Sequence, residues 1–131
     1  MRVDIEELNQ FYQGSLGSLV TKVVAASLTP AMGDISGQDL LGFGHASPYL
    51  ENYYQNARRC VNFSPSSQGV ANWPKNAKNQ SVLGNENNTP FAEASFDKIL
   101  AVHALEEAQN PQKMLRELWR ILAPEGKIIF I

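Results

Sequence analysis

Residues 96–131 read FDKILAVHALEEAQNPQKMLRELWRILAPEGKIIFI, and this stretch decides the fold. Phe96 to Val102 is rich in Phe, Ile, Leu and Val with few polar breaks, the pattern of a strand covered on both faces. Asn110-Pro111 supplies an N-cap followed by a first-turn proline. Met114, Leu115, Leu118, Ile121 and Leu122 then recur at helical spacing and predict an amphipathic helix. Ala123 precedes Pro124, which disfavours further helix, and Pro124-Glu125-Gly126 reads as a turn. Lys127 to Ile131 is a second apolar strand. Strand, helix, strand in this order is the unit of an α/β fold with a parallel sheet.

Upstream, the alternation continues. Residues 38–44, Gln-Asp-Leu-Leu-Gly-Phe-Gly, predict a strand running into a glycine turn. Pro48 fits a first helical turn, with Tyr49, Leu50, Tyr53, Tyr54 and Ala57 on one face. Cys60 to Phe63 reads as another strand, bounded by Ser64-Pro65. Residues 64–90 are rich in Asn, Ser, Gly and Pro and predict a long loop, with Ser81-Val82-Leu83 a minimal strand inside it. Trp73 is its one large apolar anchor, expected to be partly buried. Before the first strand, Asp4 and Glu7 have the spacing of a capping box. Leu8, Phe11 and Tyr12, then Leu16, Leu19, Val20, Val23 and Val24, follow a helical period. Gly14 and Gly17 interrupt it, and Pro30 and Gly33 close it. This is either a two-part helical cap or one kinked helix. The whole chain reads as one domain, with a cap over residues 1–35 and a ligand-binding α/β part over 36–131.

Composition excludes several function classes. The chain has 131 residues, 44% of them apolar and 18% charged, and is globular in type. Net charge is −2, with four basic and six acidic side chains in residues 1–60 and seven of each in 61–131. No basic stripe suits a nucleic-acid backbone. The single Cys60 offers no internal disulfide and too few thiolates for a structural zinc. No apolar run is read as a membrane span, and Asp4, Glu6 and Glu7 do not suit a signal peptide. A reducing, cytoplasmic compartment is the expectation.

Chemistry concentrates where Gly42-Phe43-Gly44-His45-Ala46 joins a strand to a helix. Glycines allow close backbone approach, and such crevices of open α/β sheets take ligands. A dinucleotide site wants a third glycine at position 47, where Ser47 stands, and a carboxylate after the second strand, where Phe63-Ser64-Pro65-Ser66 has none. Nicotinamide cofactors are disfavoured. His103 ends the strand 96–102. Glu106 and Glu107, and Arg116, Glu117 and Arg120, read as solvated charges near or on the last helix, and Cys60 as a small buried hydrophobe.

Residues 89–107, TPFAEASFDKILAVHALEE, with Asn110-Pro111 and LRELWRILAPEGKIIFI over 115–131, resemble the class I S-adenosylmethionine-dependent methyltransferases of the type 11 group. The pattern there is roughly LPFxDxSFDxVxxxHxLEHxxDPxxxLxExxRxLxPGGxLxx. The run from Gly42 to Leu50, GFGHASPYL, is similar to a subgroup with GLGYATPYL. The resemblance implies a Rossmann-like sheet of five parallel strands in the order 3-2-1-4-5, helices on both faces and a helical N-terminal cap. It implies S-adenosylmethionine as cofactor, with Gly42, Phe43, Gly44 and His45 under its methionine part and His103 at the cleft floor. Ser64 falls where the family has an acid for the ribose hydroxyls. Asn85, before Glu86, falls where it has an acid for the adenine amine, and an amide oxygen can still accept that bond. No metal is implied, and no catalytic pair stands out, because methyl transfer needs chiefly orientation. The methyl acceptor is not legible. The family's sheet has seven strands and this chain supplies five, so a C-terminally truncated, non-catalytic protein of the same fold, acting as a partner-binding or vestigial domain, is the alternative. The bare apolar strand 128–131 predicts self-association through an open edge.

Overall fold

The structure, a computed structural model, describes residues 3–75 and 77–131. Five parallel strands form one sheet in the order β3-β2-β1-β4-β5. They are β1 (Asp39–Gly44), β2 (Arg59–Pro65), β3 (Ser81–Gly84), β4 (Phe96–Val102) and β5 (Leu122–Phe130). The helices are α1 (Ile5–Gln13), α2 (Ser15–Met32), α3 (Ser47–Leu50) and α4 (Pro111–Ile121). The expected strand order and α/β architecture are therefore present.

Strand alternation splits the core in two. Leu40, Cys60, Leu100 and Val102 face one side and pack with Leu28 and Met32 of α2 and Tyr49 and Leu50 of α3. Leu41, Phe43, Phe63, Ile99 and Ala101 face the other and pack with Met114, Leu118 and Ile121 of α4. Helices thus cover both faces, as parallel sheets require.

The N-terminal region is two helices, not one. Asp4 caps α1 by accepting the Glu6 amide at 2.8 Å rather than through the expected pairing with Glu7. The break falls at Gly14. A side chain on Gly17 would collide with the Phe11 carbonyl, so this glycine is what lets α2 start so close to the end of α1. Pro30 lies inside α2 and does not end it; the helix runs to Met32 and stops at Gly33, φ +60°. A proline leaves the carbonyl four residues earlier without its helical donor. The last turn is completed from the sheet: Lys98 of β4 donates through Nζ to the Met32 carbonyl. By length and composition α2, with 18 residues and mean hydropathy 1.2, is apolar enough to cross a membrane, which corrects the reading that no run reaches that size. Leu28 and Met32 lie in the core, whereas Leu16, Leu19 and Val23 are exposed.

Other elements differ in extent. Beyond Leu50 the segment continues as turns, so α3 has four residues and the expected helical face over residues 49–57 is shorter. β2 continues through Ser64 and Pro65, whose partner is Gly84 of β3. The Pro124-Glu125-Gly126 turn is an irregularity within β5: Phe96 pairs with Leu122 and Lys98 with Lys127. Leu122 accordingly belongs to β5, and Leu115 is exposed rather than part of the buried stripe. Trp73 is fully buried, not partly, and donates through Nε1 to Glu51 at 2.8 Å. Among the described residues, β5 pairs only with β4.

The junction of β1 with β4 is tight. Gly44 has φ +85°, and a Cβ there would collide with the Val102 carbonyl, to which the His45 amide donates at 3.0 Å. Gly44→Ala should lower stability by about 2–4 kcal/mol, combining a left-handed backbone with a backbone clash. Urea denaturation checks this; a loss under about 0.5 kcal/mol would contradict the assigned packing.

Candidate functional site

Strands β1 and β4 are neighbours whose connections leave in opposite directions, which places the crevice of this fold at their carboxyl ends. Most of the residues expected in the site converge near that edge, although not in one cavity.

Gly42 and Gly44 do not line an open cradle. A Cβ on Gly42 would overlap Leu50, Ala46 and the Asn62 Oδ1, and Gly44 is filled by β4 backbone. These glycines let the chain fold tightly on itself and thereby set the position of His45. Phe43 points the other way: its ring stacks on Phe63 at 5.1 Å within the α4-side core. Only its backbone reaches the crevice, so its side chain is structural.

His45 is 1% exposed, and both its ring nitrogens are buried without a hydrogen-bond partner. Burial, reinforced by nearby His103, pushes its pKa down to about 4, so the ring is neutral at ordinary pH. The Tyr12 ring of α1 lies over it at 5.2 Å. The Tyr12 hydroxyl sits 2.7 Å from His103 Nε2 and 3.1 Å from the Tyr49 hydroxyl. His103 has φ +50°, a conformation that costs a non-glycine residue of the order of 1 kcal/mol or more and concentrates at functional sites. Its Nδ1 lies 3.5 Å from Glu106. Helix α1 is tied across the crevice at two further points. The Ile5 amide donates to the Gln68 carbonyl at 2.9 Å, and the Val3 amide to Glu107 at 3.0 Å. Glu106 and Glu107 thus have specific partners and are more than solvated charges.

Beside this cluster is a cavity of about 230 Å³ between α1, α3, the end of β2 and the 71–75 segment. Tyr12, Asn62, Ser64, Glu51 and Trp73 are among its walls. Ser64, expected here, is present. Asn62 was not singled out by sequence reasoning. It is 6% exposed, and its Oδ1 is buried without a partner. The signal was available: a lone amide inside an apolar strand, Cys-Val-Asn-Phe, is out of place unless something bonds it. Asn85 and Glu86 lie elsewhere on the same edge, in a cavity of about 280 Å³ with Ser66, Ser67 and Gln109. Among the described residues no group of three or more His, Cys, Asp or Glu could hold a metal. Cys60 is buried, and burial pushes its thiol up to about 12, so it is no nucleophile at ordinary pH.

Residues 40–130 match the methyltransferase domain family. The chain belongs to that family. Ajmaline N-methyltransferase of Rauvolfia serpentina is 24% identical over 95 residues, covering 69% of this chain and 33% of that protein. Norajmaline N-methyltransferase of the same plant is 31% identical over 49 residues, 37% of this chain and 17% of that one. A candidate S-adenosyl-L-methionine-dependent methyltransferase of Methanococcus maripaludis superposes with TM-score 0.70 at 16% identity, over 95% of this chain and 60% of that one. An S-adenosylmethionine-dependent methyltransferase of Mesorhizobium loti superposes with TM-score 0.63 at 15% identity, over 80% and 50%. These structural likenesses establish the Rossmann-like fold. The chain spans a third or less of the length of the two plant enzymes.

Glu117 corrects a sequence reading. It is 6% exposed, not on a solvated face. Its carboxylate accepts from the Thr89 amide at 2.6 Å and hydroxyl at 2.5 Å, and from Arg120 Nε at 2.8 Å, while Arg120 also donates to the Phe91 carbonyl. Helix α4 thereby holds the segment that follows Asn85 and Glu86. The Arg120 guanidinium, aided by Thr89 against the opposing effect of burial, holds the Glu117 pKa at about 2. A depressed carboxylate stabilises the fold above its unfolded pKa and loses that contribution as pH falls. The expected loss therefore runs from about pH 4.5 down to about pH 2. Glu117→Gln should lower stability at pH 7 by about 2–3 kcal/mol and flatten this acid limb. Urea midpoints at several pH values measure both, and an unchanged acid limb in the variant would contradict the assignment.

Proposed function

We propose that this chain binds S-adenosylmethionine and carries the cofactor-binding part of a methyltransferase. The observation that supports it best is that, of eight buried side-chain polar atoms without partners among the described residues, five belong to His45, Asn62 and Gln68 (both nitrogens of His45, Oδ1 of Asn62 and the whole amide of Gln68), within the span that matches the family, the others being on Gln38, Ser81 and Asn87. Leaving such atoms unpaired costs roughly 1–3 kcal/mol each, so a ligand that bonds them recovers that energy. The cofactor's chemistry fits. Asn62 Oδ1 can accept from a ribose hydroxyl, a task we infer it shares with Ser64 on the same wall. Asn85 can accept from the adenine amine, with Glu86 beside it. The neutral His45 and the imidazole of His103 border the methionine end, under the Tyr12 lid of α1.

When bound, the cofactor supplies an activated methyl group on a sulfonium. The chain's residues bind and orient. The β1 turn fixes the crevice floor, and Tyr12, Tyr49 and the two imidazoles exclude water from it. Two of the relatives are named as N-methyltransferases of norajmaline and ajmaline; a small organic acceptor is the class we infer for this site.

Calorimetry with S-adenosylhomocysteine tests the reading: measurable binding is expected, and its absence at high micromolar ligand would overturn it. Asn62→Ala should weaken that binding about tenfold, the loss of one useful hydrogen bond, while leaving the urea midpoint nearly unchanged, since its oxygen has no protein partner.

We further infer that the chain self-associates through β5. Its outer edge is unpaired among the described residues, Phe130 is 44% exposed, and an apolar groove lined by Val24, Leu28, Ala31 and Ile129 runs beside it. Light scattering at tens of micromolar should report species larger than a monomer; a clean monomer would contradict the inference.

A further inference from the structure

We propose that Tyr12 and His103 form a proton relay at the methyl-acceptor end of the crevice, suited to acceptors whose nucleophilic atom carries a proton; this rests on the methyltransferase reading above. Four side chains from four separate parts of the fold meet there: Tyr12 from α1, His45 after β1, Tyr49 from α3 and His103 after β4. Counting protons leaves two senses for the chain of contacts at 3.1 Å and 2.7 Å: His103 Nε2–H to Tyr12 to Tyr49, or Tyr49 to Tyr12 to His103 Nε2. The relay uses the second, in which Tyr12 donates to an unprotonated Nε2 and the His103 proton is on Nδ1, the nitrogen 3.5 Å from Glu106. Glu106 thus faces the side of the ring that would gain charge.

Each neighbour helps this arrangement. Burial raises the Tyr12 pKa, so Tyr12 stays a neutral phenol that can pass a proton without itself ionising. Its ring lies over His45, which is neutral at ordinary pH and does not repel a charged His103. Among the described residues, the charged or titratable groups that meet His103 or its partners include Tyr12 on α1, His45 after β1, Tyr49 on α3, and Glu106 on its own segment. The His103 backbone is held by the Ile131 carbonyl at 3.0 Å and kept at positive φ, which fixes the ring's direction at an energetic cost.

In the transfer, a lone pair on the acceptor oxygen or nitrogen forms the new bond to the methyl carbon. The carbon–sulfur bond breaks, and its electron pair stays on sulfur as a thioether. The proton left on the acceptor moves to the Tyr12 oxygen as the Tyr12 proton moves to His103 Nε2. His103 becomes an imidazolium beside the Glu106 carboxylate and later releases its extra proton to solvent. An acceptor with no proton on its nucleophilic atom gains nothing from the relay.

The test has two arms. In the first, nitrogen-15 spectra of the 131-residue protein report the His103 tautomer. The Nδ1–H form is expected, and Tyr12→Phe should change the Nε2 shift; an Nε2–H form would overturn the proposal. In the second, phenol and pyridine serve as acceptor probes with S-adenosylmethionine. Tyr12→Phe should slow methylation of phenol by about 100-fold or more, the scale of general base catalysis. Methylation of pyridine should fall far less, so that with S-adenosylmethionine saturating the phenol-to-pyridine rate ratio drops by about 100-fold. His103→Gln should act in the same way. Equal losses with both acceptors would mean that Tyr12 only packs and would overturn the relay. So would methylation of neither probe by a protein that binds S-adenosylhomocysteine. Failure to bind S-adenosylhomocysteine at all would instead overturn the methyltransferase reading itself.

Discussion

The carbonyl of Val102 occupies the space where a side chain at position 44 would stand, and the crevice depends on that exclusion. Because Gly44 leaves the space open, β1 and β4 stay paired to their last residues. The chain then turns left-handed, and His45 is carried back under α1 rather than out into solvent. Every group at the methionine end of the candidate site takes its place from this contact. Tyr12 has a flat ring to lie on, His103 has a partner across the strands, and α3 begins close enough to bring Tyr49 to the same point. A fold that could not bring two backbones this near would hold the same residues several ångström apart.

Buried groups in this molecule fall into two kinds, and the contrast separates scaffold from site. Glu117, Asp39 and Lys98 are buried with every demand met: Glu117 by Thr89 and Arg120, Asp39 by Arg58, Lys98 by the Met32 carbonyl. They fasten loops and helix ends to the sheet. His45, Asn62 and Gln68 are equally buried, and both ring nitrogens of His45, Oδ1 of Asn62 and the amide of Gln68 have no partner among the described residues. Leaving such atoms unmet lowers stability, and five of the eight such atoms belong to these three residues, the rest being on Gln38, Ser81 and Asn87. Stability is concentrated away from the crevice, and the crevice itself is left short of partners.

The sheet was legible because burial on two faces gives strands a near-continuous apolar run. β4 is read to the residue, and the asparagine cap and proline of α4 mark its start unambiguously. What periodicity could not show was long-range compensation. Pro30 looks like a helix stop, yet the helix runs on to Met32, whose carbonyl is capped by Lys98, 66 residues on. Glu117 looks like one more charge on a helix face until Thr89 is seen against it. Pro124-Glu125-Gly126 looks like a terminating turn, but β4 offers enough edge for β5 to pair on both sides of it. In the site, the histidines and Ser64 were visible by position. Phe43 was placed correctly along the chain but on the wrong face for its side chain. Asn62 was passed over because a resemblance directs attention to expected positions, while an orphaned amide shows only when its surroundings are known.

The capping of α2 by Lys98 also bears on the order in which the molecule assembles. Helix α2 precedes the sheet in the chain, yet its final turn is fastened by a residue of the fourth strand. A chain growing from its N-terminus would have to carry an exposed, largely apolar helix through the synthesis of some sixty further residues before the sheet could receive it. Contacts of such separation form slowly, since a long loop must close first. Helix α2 would thus form ahead of the sheet that receives it and settle only once β4 is in place, its exposed apolar residues uncovered during that interval.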